Sequence, residues 1–177
     1  MIRGGFKTES IKTCVAILVN QNPVCAGTLI SKVCVLTAGH CVQDTTTTDI
    51  EVVAGETNLL SFYQGLSKTG IKTSVKNITL HPNFKWMHTK ILEKDLALLE
   101  RKQPLDIVNN PNIEVAFLPP PSLEKYDKTI RVGGWGLTVN FTMSTNHLSI
   151  DITIKKTPQK SLIKYHSICK YALSEYL

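Results

Sequence analysis

The sequence has no long apolar run. The longest uninterrupted apolar stretch is the six residues Cys14–Val19. A membrane-spanning helix needs ~20 such residues, so no membrane span is predicted. The start, Met1–Gly5, has no apolar core of the kind that marks a secretory signal peptide. The five cysteines contain no C-x-x-C pair, which argues against finger or ribbon zinc sites.

Charge is moderately basic and dispersed. Lys and Arg number 20 against 14 Asp and Glu, a net charge of +6. Because the lysines are scattered along the chain, no nucleic-acid groove is predicted. The 177 residues are 42% hydrophobic, which is enough for a folded domain with a core. The odd number of cysteines leaves at least one thiol without an intrachain partner and hints at an oxidising compartment.

Short β-branched segments separated by turn residues predict an all-β fold, as a barrel or a sandwich. A turn is expected at Asn20–Pro23. The alternation within residues 71–80 slips near Lys76, which predicts a β-bulge. The predicted strands are Val15–Val19, Gly27–Ile30, Val33–Leu36, Ile50–Ala54, Ile71–Leu80, Leu96–Leu99, Ile130–Val132 and Leu148–Ile154.

Three consecutive prolines, Pro119–Pro121, divide the chain. They lack amide hydrogens, so they cannot continue a sheet and are expected to form an extended linker. We therefore divide the sequence into residues 2–118 and 119–177. In the second part, the apolar spacing of Ser161–Ala172 predicts a short helix capped by Ser161.

One segment carries residues suited to chemistry: Val35–Cys41, which ends Thr37-Ala38-Gly39-His40-Cys41. His40 follows an apolar strand and precedes a cysteine, with Cys25 upstream. An imidazole can accept a proton at neutral pH, and a general base must be held within about 3 Å of its proton. From these residues alone, a structural histidine and a general base both stay open.

These residues resemble the histidine motif of the trypsin/chymotrypsin-like serine proteases. The resemblance continues in order along the chain, at Ile2–Gly5, Val53–Glu56, His81–Phe84, Asp95–Leu99 and Gly133–Gly136. It implies a trypsin-like double β-barrel, with the first barrel complete within 2–118 and the second incomplete within 119–177. It also implies a secreted serine endopeptidase domain acting on protein or peptide substrates.

The resemblance implies roles for individual residues. His40 would be the general base, and Asp95 would orient the imidazole and stabilise its cation. A disulfide is expected between Cys25 and Cys41. The family needs no cofactor for its chemistry. Gln64 and Lys68 stand where calcium-binding members carry acids, so no calcium site or other metal site is expected.

Part of the family pattern is missing. No Gly-Asp-Ser-Gly-Gly motif occurs, and all ten glycines lie at or before Gly136. The serines beyond it that we considered, at 149, 161, 167 and 174, have no flanking glycine for an oxyanion turn. The chain alone is therefore predicted to be inactive. It is interpreted as a truncated endopeptidase domain or, alternatively, as an inactive homologue that binds a protein partner as a regulatory module.

Two further features remain open. The pairing of Cys14, Cys34 and Cys169 is not determined by the sequence, although Cys34 is expected to pack as a small buried hydrophobe. Two N-x-[ST] sequons occur, at Asn77–Thr79 and Asn140–Thr142. Such triplets matter only if the chain is secreted.

Overall fold

A computed structural model describes residues 6–7, 11–87, 90–118, 128–135, 144 and 146–154. These residues form strands and one short helix, which confirms the all-β prediction. The elements are β1 (Phe6–Lys7), β2 (Cys14–Val19), β3 (Asn22–Ser31), β4 (Cys34–Thr37), a 3₁₀ turn (Gly39–Cys41), β5 (Ile50–Ala54), α1 (Leu59–Tyr63), β6 (Ile71–Leu80), β7 (Lys85–Met87), β8 (Lys90–Glu93), β9 (Ala97–Arg101), β10 (Lys128–Gly134) and β11 (Leu148–Ile154). No helix in this part of the chain has the length and apolarity to cross a membrane.

Six strands close a barrel in the order β2-β3-β4-β9-β6-β5. All its pairs are antiparallel. Val15 and Ile17 of β2 point into the barrel core, whereas Ala16 and Leu18 are buried in a second apolar cluster outside it. Burial on both faces explains why β2 is the longest apolar run in the sequence, since a strand with one wet face would alternate.

The turn between β2 and β3 is tighter than the sequence suggests. Asn20 and Gln21 alone form it, both with positive φ (49° and 66°), and Val19 pairs with Asn22 across it. Two such residues match the twist of a hairpin. Asn22 and Pro23 therefore belong to β3, contrary to the predicted four-residue turn. The pairing shifts register beside Pro23, where a residue without an amide hydrogen is tolerated.

The second sheet has the order β1-β11-β10. It packs on the barrel through Trp135, which is buried with Ala16, Leu18 and Leu59. The expected arrangement of one closed barrel beside an incomplete second one is thus confirmed. The short strand β1 joins this second sheet by pairing with β11. The boundary at 119 stays a prediction, because the triproline and the predicted 161–172 helix lie outside the described residues.

The cysteines that the structure describes are either disulfide-bonded or free. Cys25 and Cys41 form the predicted disulfide. Cys34 is buried, as expected, but it is also disulfide-bonded and so is more than a small hydrophobe. Cys14 is a free thiol whose pKa is raised to about 12 by burial. Cys14 and Cys34 are not bonded to each other, since their strands flank β3 on opposite sides.

Candidate active site

The strand register brings two distant segments together at one end of the barrel. β4 and β9 are antiparallel neighbours, and Thr37 pairs with Ala97. His40 lies three residues beyond Thr37, and Asp95 lies two residues before Ala97. Chain segments 55 residues apart in sequence therefore meet just past the last strand pair.

Asp95 holds His40 through both carboxylate oxygens. The backbone N–H of His40 donates to Oδ1 of Asp95 at 2.9 Å, and Nδ1 of the ring lies 2.7 Å from Oδ2. A carboxylate only accepts hydrogen bonds, so this contact assigns a proton to Nδ1. In the neutral ring the lone pair is then on Nε2, which is the tautomer of a general base in a histidine–aspartate pair.

Exposure differs between the two side chains. Solvent reaches 37% of the His40 side chain but only 20% of the Asp95 side chain. Partial burial of the carboxylate shields its contact with the ring from competing water, which strengthens it. The exposed imidazole can meet a large substrate from solvent. The imidazole of the pair therefore lies at a surface, and the carboxylate lies partly beneath it.

The His40 loop is fixed from two sides. The Cys25–Cys41 disulfide ties the 3₁₀ turn to β3, with a Cα–Cα distance of 6.2 Å. On the other side, the ring of Phe84 lies so close to Gly39 that a Cβ there would come within 3.0 Å of it. The glycine thus permits the close approach of an aromatic ring beside His40. Such fixation preserves the geometry that proton transfer requires.

The Phe84 turn also supports the Asp95 segment. The backbone N–H of His81 donates to the carbonyl of Leu96 at 2.9 Å, and that of Phe84 donates to His81 at 2.8 Å. Lys94 has φ 51°, and the tight turn there presents Asp95 towards His40. The His81–Phe84 motif therefore contacts Gly39 and Leu96, the residues next to His40 and Asp95. The sequence drew attention to this motif only through the family resemblance, and its packing partner Gly39 was missed.

Three potential metal-binding atoms meet beside the pair. The ligand atoms of Cys25, His40 and Cys41 lie within 4.8 Å of one another. The thiolate is the form of cysteine that binds metal, and both of these sulfurs are bonded in the disulfide. The cluster therefore cannot act as a thiolate metal site while the disulfide is intact.

The loop after Glu56 is organised by hydrogen bonds. The Glu56 side chain is 4% exposed. Its Oε1 accepts from the backbone N–H groups of Thr57 and Asn58, both at 2.8 Å. Its Oε2 accepts from the hydroxyls of Ser67 and Thr69 at 2.5 and 3.2 Å. The groups around Oε2 are thus neutral hydroxyls, whereas a calcium ion prefers several carboxylate ligands.

Ser149 is the only one of the four serines considered as nucleophiles that lies within the described residues. It is completely buried, and its hydroxyl has no hydrogen-bond partner among the residues that the structure describes. A buried hydroxyl inside the second sheet cannot meet a substrate, so Ser149 is not a nucleophile. Serines 161, 167 and 174 lie outside the described residues.

A second histidine, His147, was not singled out by the sequence. It is 2% exposed, and its backbone N–H donates to Thr57 at 2.7 Å. Its ring packs edge-on against Trp135, with centroids 4.9 Å apart, and Trp135 Nε1 donates to the same Thr57 carbonyl at 3.2 Å. His147 therefore lies where the second sheet packs on the barrel, in contact with Trp135 and Thr57.

Comparison with known proteins places this geometry in a family. The trypsin family model matches residues 2–175. Trypsin zeta of Drosophila melanogaster is 33% identical over 76% of this chain and 46% of its own length. Venom serine protease 34 of Apis mellifera is 29% identical over 84% of this chain and 38% of its own length. The chain thus spans less than half the length of these two curated relatives.

A solved structure shares the fold. The scabies mite inactivated protease paralogue S-D1 superposes with a TM-score of 0.72 at 22% identity, covering 88% of this chain and 64% of that one. At this identity the likeness is evidence for the fold alone. The family match extends over nearly the whole sequence, and the closed barrel agrees with it. The chain belongs to the trypsin family.

Proposed function

We propose that this chain carries the base half of a serine endopeptidase site, with His40 as general base and Asp95 as its orienting carboxylate. The observation that supports this most is the two-point contact of Asp95 with the backbone and the ring of His40. One contact fixes the position of the loop and the other fixes the tautomer. An ordinary surface ion pair would require neither the backbone contact nor a fixed tautomer.

The roles follow from the proton positions. When a serine hydroxyl attacks the carbonyl carbon of a peptide bond, Nε2 of His40 takes the hydroxyl proton. The resulting imidazolium is stabilised by Asp95, and it then gives the proton to the leaving amine as the acyl-enzyme forms. The substrates are proteins or peptides. Because residues 1–177 contain no Gly-Asp-Ser-Gly-Gly motif, we propose that these residues alone lack peptidase activity.

The test is direct. Residues 1–177 are expressed in oxidising conditions and treated with a fluorophosphonate probe and with casein, beside an active trypsin-family protease. No serine should be labelled and no casein cleaved, because acylation needs an activated serine on an oxyanion turn. Labelling or turnover that disappears in His40→Ala would contradict the proposed inactivity and would still support His40 as the base.

A second candidate is an inactive homologue that binds a protein partner. The observation compatible with it is that the scabies mite fold neighbour carries the description "inactivated". The coding sequence downstream of codon 177 discriminates between the two. An in-frame Gly-Asp-Ser-Gly-Gly supports the endopeptidase, whereas a second barrel with another residue at the serine position supports the inactive homologue.

We also propose that the chain works in a secreted or extracellular setting. Two features support this: the Cys25–Cys41 disulfide and the additional disulfide of Cys34. Such bonds persist in oxidising compartments and are rare in the cytosol. Trapping free thiols in cells with an alkylating reagent tests the proposal. Unmodified Cys25 and Cys41 support it, and alkylated ones contradict it.

A further inference from the structure

The sequon at Asn77 lies on the outer wall of the barrel. Its central residue, Ile78, packs against the barrel core. Successive side chains of a strand point to opposite faces, so Asn77 and Thr79 both point outward. Their side chains accordingly lie on one face, with Nδ2 of Asn77 and Oγ1 of Thr79 3.5 Å apart. Asn77 is exposed, so its amide is accessible.

The predicted bulge adds to this exposure. The pairing of β6 with β9 shifts register between Val75 and Asn77, which confirms the bulge that the sequence places near Lys76. Lys76 and Asn77 are two consecutive exposed residues, which a regular half-buried strand would not have. The extra residue turns the Asn77 side chain away from the wall.

One edge of β6 is open beside the sequon. β5 pairs with β6 only as far as Ser74, and from Val75 to Leu80 the pairing in the described part of the chain is with β9 alone. The opposite backbone edge of this half of the strand has no neighbouring strand there.

We propose that Asn77 is an acceptor of an N-linked oligosaccharide. Its Nδ2 forms a bond to C1 of the first sugar of a lipid-linked oligosaccharide. The bond between C1 and the lipid pyrophosphate oxygen breaks, the pyrophosphate leaves with the electron pair, and the amide gives one proton to a base of the transferase. Nothing is oxidised or reduced. The sequon supplies the required residue types, and the inference rests on the secretory setting proposed above.

The position of the glycan has a structural consequence. It would stand beside the open edge of β6, where an unpaired strand invites pairing with another chain. Leu80, three residues further along, pairs with Ala97 next to the Asp95 segment. At about 3.3 Å per residue the glycan is roughly 10 Å along the strand from that end. Its attachment point would therefore lie on the wall of the barrel, before the strand end that pairs with Ala97.

The experiment supplies the compartment, so that a failure of the inference is distinct from a failure of the secretory proposal. The full chain is fused to a cleavable signal peptide and translated with microsomes. Chains protected from added protease are then treated with a glycosidase that removes N-glycans. We expect a glycosidase-sensitive shift that Asn77→Gln and Thr79→Ala each reduce by one glycan.

Two matched variants make the result specific. Thr79→Ser preserves the sequon and should retain the glycan, and Asn140→Gln removes the other sequon and should leave the Asn77 glycan in place. Protected chains whose mobility is unchanged by Asn77→Gln would overturn the inference.

Discussion

Asp95 contacts His40 twice, at its backbone N–H and at its ring Nδ1. These contacts have different consequences. The first fixes the loop that follows β4, and the second fixes which ring nitrogen carries the proton. Both oxygens of the Asp95 carboxylate contact His40. One substitution at Asp95 can therefore change the tautomer of the ring while it keeps the loop in place.

We predict that Asp95→Asn preserves the loop but reverses the tautomer. The amide oxygen can still accept from the backbone of His40, whereas the amide nitrogen donates to Nδ1 and moves the ring proton to Nε2. Nitrogen-15 NMR of labelled His40 measures the tautomer, and Asp44→Asn serves as a control elsewhere on the surface. In a chain completed by a serine segment, the wrong tautomer should lower kcat by about 10⁴-fold. An unchanged tautomer would contradict the proposed orienting role.

We predict that removing the Cys25–Cys41 disulfide lowers the free energy of unfolding by about 3 kcal/mol, since the bond closes a short loop of the unfolded chain. The cysteines are 16 residues apart. Urea denaturation of the double variant Cys25→Ser/Cys41→Ser measures the loss. Cys14→Ser is the control, because that thiol is free. Equal stability of the double variant and the native chain would show that the bond contributes little.

The strands could be predicted because they are short, β-branched and bounded by turn residues, and β5, β6 and β11 have the predicted limits. The helix α1 was missed because five residues are too few for a helical period to show. The β7–β8 hairpin was missed because it has no clear alternation. The tight β2–β3 turn was misjudged because Gln21 adopts a positive φ that its type does not favour.

The site could be predicted only in part. Local spacing cannot reveal that residues 40 and 95 meet, since the β4–β9 register creates the contact. The family resemblance named both residues, and the structure brings them together. The contact of Gly39 with Phe84 and the burial of His147 left no sequence signal, because each depends on packing between segments that are remote in sequence.

We predict that Glu56→Gln lowers the free energy of unfolding by about 2 kcal/mol. The carboxylate accepts four hydrogen bonds in a nearly buried site, and an amide nitrogen in place of one oxygen cannot accept. Glu114→Gln, at an exposed ion pair, is the control. Urea denaturation measures both, with and without a calcium chelator. If calcium strongly stabilised the native chain, Glu56 would bind a cation, and the prediction that these four hydrogen bonds account for its role would be wrong.

The last prediction concerns His147, whose two ring nitrogens are buried without hydrogen-bond partners in the described part of the chain. Burial lowers its pKa below the ordinary value of 6.5. There is no room for water beside Gly133, where even a Cβ would approach Cε1 of the ring within 2.5 Å. The folded chain therefore holds the neutral ring between Trp135 and Gly133.

The sign of the pH effect follows from this pKa. Below about pH 6.5 the unfolded chain binds a proton at this residue that the folded chain resists, so the stability is complete above that pH and is lost as the pH falls. Between the two pKa values the loss approaches about 1.4 kcal/mol per pH unit. His147→Phe keeps an aromatic ring against Trp135 and has no proton to bind, so its stability should fall less on acidification.

The measurement is the free energy of unfolding from about pH 7.5 to about pH 5 for the native chain and for His147→Phe. All other titrating groups are shared, so they cancel in the difference between the native chain and the His147 variant. We expect that difference to shift in favour of His147→Phe as the pH falls. A difference that is constant with pH would show that His147 binds protons equally in the folded and unfolded chains. Its ring would then not be shielded from solvent where the second sheet packs on the barrel.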